Sequence, residues 1–202
     1  MADELPEDGA LAVRKRPRPG ERRVQILRML ATMLEQGDER ITTAALAARL
    51  GVSEAALYRH FASKAQMYEG LIDFIENALM ALIRQVQERD APGPVQASRI
   101  VTLVLQFADK NPGMTRVMTG DALVLEHARL QERVNLLFDK IEAVLRQTLR
   151  EGATDSATPG ADAQIKASWL MAFTQGRLQQ FARSGFKRSV LTHLDACLAL
   201  MA

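Results

Sequence analysis

Apolar residues along this chain recur three and four positions apart and nowhere alternate over the length of a strand, so the pattern predicts an all-α protein. Ile26, Leu27, Leu30, Met33 and Leu34 form the inward stripe of a helix over 21–36, which Gly37-Asp38-Glu39-Arg40 stops. Two short helices over 43–50 and 54–61 follow, then a long one from 64 to 89. Asp90-Ala91-Pro92-Gly93-Pro94 breaks that helix, since one proline inside a helix costs about 3 kcal/mol. An apolar helix over 95–110 ends at Asn111-Pro112-Gly113, and a short one is expected at 115–118. A long helix over 121–151 carries Leu123, Leu130, Val134, Leu137, Phe138, Ile141, Leu145 and Leu149 at helical spacing. The small, polar stretch 152–160 reads as a loop before helices over 161–184 and 190–201. Residues 1–20 carry three prolines and few large apolar side chains, and read as a disordered arm.

The block from Ile41 to Lys64 carries the first functional signal. Helices of eight residues are marginal alone, so these two must lean on each other and on the helix before them. Leu46, Ala47, Leu50, Val52, Leu57 and Phe61 supply a shared core. Gly51 stands where the first helix must end in a left-handed residue, and Ser53 is placed to cap the next. Helix, three-residue turn, helix is the pattern of a helix-turn-helix DNA reader. The second helix then shows Ser53, Ala55, Ala56, Tyr58, Arg59 and His60 on its outer face. Tyr58 suits a phosphate, Arg59 a phosphate or the O6/N7 edge of guanine, and the alanine methyls suit thymine methyls. Ser63-Lys64-Ala65-Gln66 is a capping box that starts the long helix and places Lys64 for a further phosphate.

Charge changes the picture only once its distribution is followed. The chain of 202 residues is 48% hydrophobic and 25% charged with a formal charge of +2, an ordinary globular composition that does not by itself announce a nucleic-acid binder. That small total hides an arm that changes sign. Asp3, Glu4, Glu7 and Asp8 come first, followed by Arg14, Lys15, Arg16, Arg18, Arg22 and Arg23 just before or within the first helix. There the flexible, basic half suits a phosphate backbone or a minor groove. A single cysteine, Cys197, allows no intramolecular disulfide, and no zinc spacing exists, so no metal or cofactor is expected. The acidic start is the reverse of a signal peptide, and no apolar run approaches the roughly 18 residues of a membrane span, so a cytoplasmic protein is expected. Catalysis finds no support in a phosphate-binding glycine loop, a nucleophile elbow, a His-Glu-x-x-His run or a Cys/His pair.

These residues resemble the DNA-binding domain of the TetR family of dimeric bacterial regulators, in the Gly51-Val52-Ser53 turn and the run from Leu57 to Lys64. Within that family, Thr42-Thr43, the run Val52 to Phe61, Phe107-x-x-Lys110-Asn111-Pro112-Gly113, Thr119-Gly120 and Arg146 to Glu151 resemble the nucleoid occlusion factors. The resemblance runs from about Arg22 to Phe186. It implies a TetR-like fold, with an N-terminal three-helix unit over 21–66 and a larger helical bundle over 67–202 for partner binding and dimerisation. It adds Thr42 and Thr43 to the expected DNA contacts, and implies homodimers, possibly several per site, on palindromic double-stranded DNA. It further implies antagonism of the division protein FtsZ near the nucleoid. By the same resemblance the FtsZ tail docks at Phe74, Leu103, Lys110 and Asn111. Gln106, where that family has a small glycine, and Leu82, where it has an arginine, depart from the pattern.

Trp169, Phe173, Phe181, Leu191, Leu194 and Leu198 are more apolar than a solvent-facing helix pair should expose, and are expected at the dimer interface. The rival function is a ligand-responsive TetR-type repressor with an enclosed pocket in its second domain. Polar residues able to line one are few, chiefly Thr102, Gln106, Thr174 and Gln175, so no small-molecule ligand is expected.

Overall fold

A computed structural model describes residues 20–37, 41–152 and 157–200. Among them the chain forms nine α-helices and no strand: α1 Glu21–Gln36, α2 Thr43–Leu50, α3 Glu54–Tyr58, α4 Lys64–Gln87, α5 Gly93–Lys110, α6 Pro112–Met118, α7 Ala128–Glu151, α8 Pro159–Arg183 and α9 Leu194–Ala199. The stripe expected on α1 is the one buried, and Leu46, Leu57 and Phe61 close over it to make the three-helix unit α1–α3. In the bundle, Leu71, Ile72, Ile75, Leu79 and Ile83 of α4 meet Ile100, Val104 and Leu105 of α5, Leu137 and Ile141 of α7, and Ala167 and Leu178 of α8 in one core.

Three helix boundaries depart from the sequence pattern for one reason. Proline breaks a helix from inside but starts one from its first turn. Pro94, Pro112 and Pro159 therefore open α5, α6 and α8 rather than lying in loops before them. The fourth departure is at 121–151, which is not one helix. A 3-10 turn over Asp121–Leu123 ends before an extended His127, whose Nδ1 accepts from Arg129 N and caps α7. Leu123 and Leu130 are both buried and lie two helical turns apart, so their spacing reads straight through the break. The last helix is also shorter than expected. His193 adopts a left-handed conformation (φ 54°), so α9 begins only at Leu194.

Two further features fix how the helices sit against one another. Gly113 of α6 lies so close to α1 that a Cβ there would meet the Ala31 carbonyl oxygen at 1.9 Å. Along α4, Lys64, Glu69, Asp73 and Glu76 pair with Glu126, Arg129, Arg133 and Lys140. Both numberings rise together, so α4 and α7 run parallel. Exposed pairs contribute at most about 1 kcal/mol each, so this ladder sets register more than it adds stability.

Candidate nucleic-acid interface and partner groove

Capping fixes the reading unit. The Thr42 hydroxyl accepts from Ala45 N at 3.1 Å and starts α2, which ends at Gly51 (φ 65°) with Val52 N donating to the Ala47 carbonyl. Ser53 Oγ accepts from Ala56 N at 3.3 Å and starts α3. Ser63 Oγ accepts from Gln66 N, and the Gln66 side chain reaches back to Ala62 N at 2.9 Å, one residue earlier than in the usual capping box. Three orphan amides of three consecutive helix starts are satisfied by side chains that the sequence places there.

Ser53, Ala55, Tyr58, Arg59 and His60 are exposed on the outer side of α3, with Ala56 half-buried beside them. Thr43 Oγ1 donates to Glu54 Oε2 at 2.6 Å and lies 3.5 Å from the Tyr58 hydroxyl, so α2 and α3 are tied across their exposed edge. Thr42 is exposed at the same edge. Arg14, Lys15 and Arg16 lie outside the described residues. Arg23, which sequence reasoning assigned only to the basic stretch, donates through Nη1 to the His60 carbonyl at 3.0 Å and stacks on the Phe61 ring at 4.2 Å. It therefore splints the end of the reading unit. Its bond to His60 spans 37 positions, which no local pattern reveals.

Lys64 differs from expectation. Its ammonium is paired with Glu126, from the turn before α7, and lies over the Tyr68 ring. The helix start that the capping box defines is present, but its cation is already engaged.

Phe74 and Asn111 meet in an open groove of about 450 Å³ between α1, α4 and the α5–α6 corner. Phe107, Ala78 and Met114 line it on the body side, and Arg28, Ala31, Thr32 and Glu35 of α1 form the facing wall. Asn111 Nδ2 donates to the Phe107 carbonyl at 2.7 Å, ending α5 and orienting the amide. Lys110 is exposed at the corner, and Leu103 sits half-buried one turn before Phe107, packed against the core. Gln106 points to solvent, and Leu82 lies half-buried one turn beyond Ala78. Phe107 belongs to the run quoted in the resemblance, whereas the α1 wall has no signal in the sequence, because α1 reaches the groove only through tertiary packing.

Of the apolar residues expected at a dimer interface, Phe181, Leu194 and Leu198 are buried inside the protomer's own core. Phe173 and Leu191 are half-buried against that core, and Trp169 is 51% exposed. Ile165, one turn before Trp169, is 68% exposed and had not been singled out. Apolar residues fall on more than one face of α8, and periodicity does not say which of them turns inward. Of the polar residues weighed for an enclosed ligand pocket, Thr174 is buried and donates to the Leu170 carbonyl at 2.7 Å, Thr102 is half-buried, and Gln106 and Gln175 are exposed. No group of three metal-ligating side chains occurs among the described residues, and none of their helices is long and apolar enough to cross a membrane.

Comparison with known proteins places this geometry. Residues 30–71 match the family described as bacterial regulatory proteins, tetR family, and residues 94–201 match the SlmA-like family described as tetracyclin repressor-like, C-terminal domain. The nucleoid occlusion factor SlmA of Idiomarina loihiensis is 48% identical over 177 residues, 87% of this chain and 90% of that protein. SlmA of Vibrio atlanticus is 45% identical over 187 residues, covering 91% and 95%, and SlmA of Citrobacter koseri 48% over 184 residues, covering 90% and 93%. Among solved structures, the fatty acid degradation regulator FadR of Bacillus halodurans superposes with a TM-score of 0.75 at 14% identity, over 92% of this chain and 96% of that one. FadR of Bacillus subtilis, solved with stearoyl-CoA, gives 0.71 at 13% identity over 88% and 96%. At those identities the likeness is one of fold.

Proposed function

We infer the function from one premise: this chain belongs to the SlmA family of nucleoid occlusion factors, a branch of the TetR-type DNA-binding regulators. It is a DNA-binding nucleoid occlusion factor. We propose that it acts as a homodimer on specific chromosomal sites and, when bound there, antagonises FtsZ assembly over the nucleoid. The observation that carries this reading is the pairing of an exposed, cap-fixed α3 face with a groove whose far wall is α1 of the same reading unit.

On DNA, α3 enters the major groove. Arg59 reaches a phosphate or a guanine edge, Tyr58 a phosphate, and Ala55 and Ala56 leave room for thymine methyls. Thr42, Thr43 and Ser53 approach the backbone, with the residues around Arg14 to Arg16 following it further out. The FtsZ tail lies in the groove as a short segment with apolar anchors against Phe74 and Phe107 and acidic groups near Lys110 and Arg28. Leu103 supports that floor, and Asn111 offers its remaining amide atoms to the peptide backbone. Because α1 walls the groove and packs within the unit that presents α3, occupation of one surface is felt at the other, and the output is the fate of FtsZ at that place on the chromosome.

The test is co-sedimentation of FtsZ with GTP in the presence of this protein and cognate-site or random DNA. Loss of polymer with cognate DNA only is expected. No loss on either DNA returns the chain to an ordinary ligand-responsive repressor. Lys110→Glu, on the exposed corner, is expected to weaken FtsZ capture while DNA affinity holds.

A further inference from the structure

The α1 wall of the Phe74–Asn111 groove carries its charges at its two ends. Arg28, Ala31, Thr32 and Glu35 make that wall, and Arg28 and Glu35 are the only charged side chains lining the groove among the described residues. They stand seven positions apart on α1, two helical turns or about 10 Å. Both are exposed, and among the described residues neither side chain has a hydrogen bond or ion pair. Between them the wall is small: Ala31 is buried, and the Thr32 hydroxyl donates back to the Arg28 carbonyl at 3.1 Å. The body side offers the half-buried rings of Phe74 and Phe107.

Glu35 is the less expected of the two charges. It lies in the last turn of α1, where the helix dipole is negative and favours a cation, and that turn carries no basic residue. A carboxylate there is unfavourable for the isolated helix and leaves two sources of negative potential uncompensated at one end of the groove. The wall also has a direction. A Cβ on Gly113 would lie 2.9 Å from Glu35 N, so Glu35 stands beside the α5–α6 corner, and Arg28 lies two turns away toward the start of α1. In a partly desolvated groove a matched charge is favoured and a like charge is excluded.

We propose that Arg28 and Glu35 set the charge order of the peptide this groove accepts: an acid at the Arg28 end, apolar side chains over Phe74 and Phe107, and a base at the Glu35 end beside the corner. At roughly 3.3 Å per residue of extended chain, the acid and the base stand three positions apart. The inference rests on the reading of this groove as a peptide site, and adds that its ligand must carry a cation as well as acids.

The test uses the full chain without DNA and three octapeptides that share a central Leu-Phe pair. They are flanked by Asp and Lys, by Asp and Glu, or by Lys and Lys, and binding is followed by backbone amide NMR shifts. The Asp/Lys peptide is expected to give saturable shifts over residues 28–35, Phe74 and Phe107, and to bind about fivefold more tightly than either like-charged peptide, the scale of one exposed ion pair. Glu35→Lys is expected to move the preference to the Asp/Glu peptide, and Arg28→Glu to the Lys/Lys peptide, a reversal that a merely structural role would not produce. Both positions are exposed, and circular dichroism checks that the helices persist. No saturable binding of any peptide at the groove, or the same preference in the wild type and both variants, would overturn the proposal. Displacement by an FtsZ tail peptide reads the partner separately: a tail that fails to displace the bound octapeptide removes the FtsZ reading and leaves the charge order standing.

Discussion

Tyr58 and Tyr68 are the only tyrosines in the chain, ten positions apart, and their surroundings are opposite. Tyr58 is 46% exposed at the edge of α3, near Thr43, and no core contact depends on its ring. Tyr58→Ala should therefore lower affinity for cognate DNA about tenfold, the scale of one lost charge-assisted phosphate bond, while the melting temperature stays within a degree or two. Fluorescence anisotropy and circular dichroism read the two effects separately. Tyr68 keeps its proton in the folded state beyond the pH at which the unfolded chain loses it. Above about pH 10 the unfolded form then binds fewer protons, so stability falls as pH rises. Urea unfolding across that range should show a flatter pH dependence for Tyr68→Phe. The exposure of Tyr58 was legible from the α3 pattern alone. The setting of Tyr68 was not, because on α4 it is one more residue on an inward stripe and Glu126 reaches it only through tertiary packing.

The helices of the N-terminal three-helix unit were legible to within a few residues because their ends are local chemistry. Thr42, Ser53 and Ser63 act on amides three positions away, and Gly51 acts on its own backbone. Proline was legible as punctuation but ambiguous in direction, which moved the starts of α5, α6 and α8. The approach of α6 to α1 is the opposite case. Gly113 looked like part of a turn sequence, yet its missing side chain is what lets the bundle touch the backbone of the reading unit. Gly113→Ala forces α1 and α6 apart and should cost about 3 kcal/mol, measurable as a shift of the urea midpoint. A cost below about 0.5 kcal/mol would mean that the two helices slide freely. The ion-pair ladder between α4 and α7 was equally invisible, because its partners lie 60 or more positions apart.

The proposed homodimer would pair through the outer face of α8, where Ile165 and Trp169 are exposed one turn apart. Two reading units about 34 Å apart bind a palindrome far more tightly than one, since the second engagement is intramolecular. Trp169→Glu should shift the protein toward monomer in sedimentation and lower palindrome affinity by 10²-fold or more, while half-site affinity stays unchanged. A dimer that survives this substitution moves the interface to another face. The same substitution leaves the Phe181, Leu194 and Leu198 packing intact, so loss of the dimer would not be confused with unfolding.

By itself the sequence determined the helical class and the capped three-helix unit with its exposed Tyr58, Arg59 and His60. These follow from interactions within about four positions, which periodicity and capping record directly. Only the tertiary structure decided that α1 walls the Phe74 groove, that Lys64 is engaged by Glu126, and that Phe181, Leu194 and Leu198 face inward. Each depends on which helix faces which. That choice is made by packing the whole apolar surface at once, and no short window of the chain contains it.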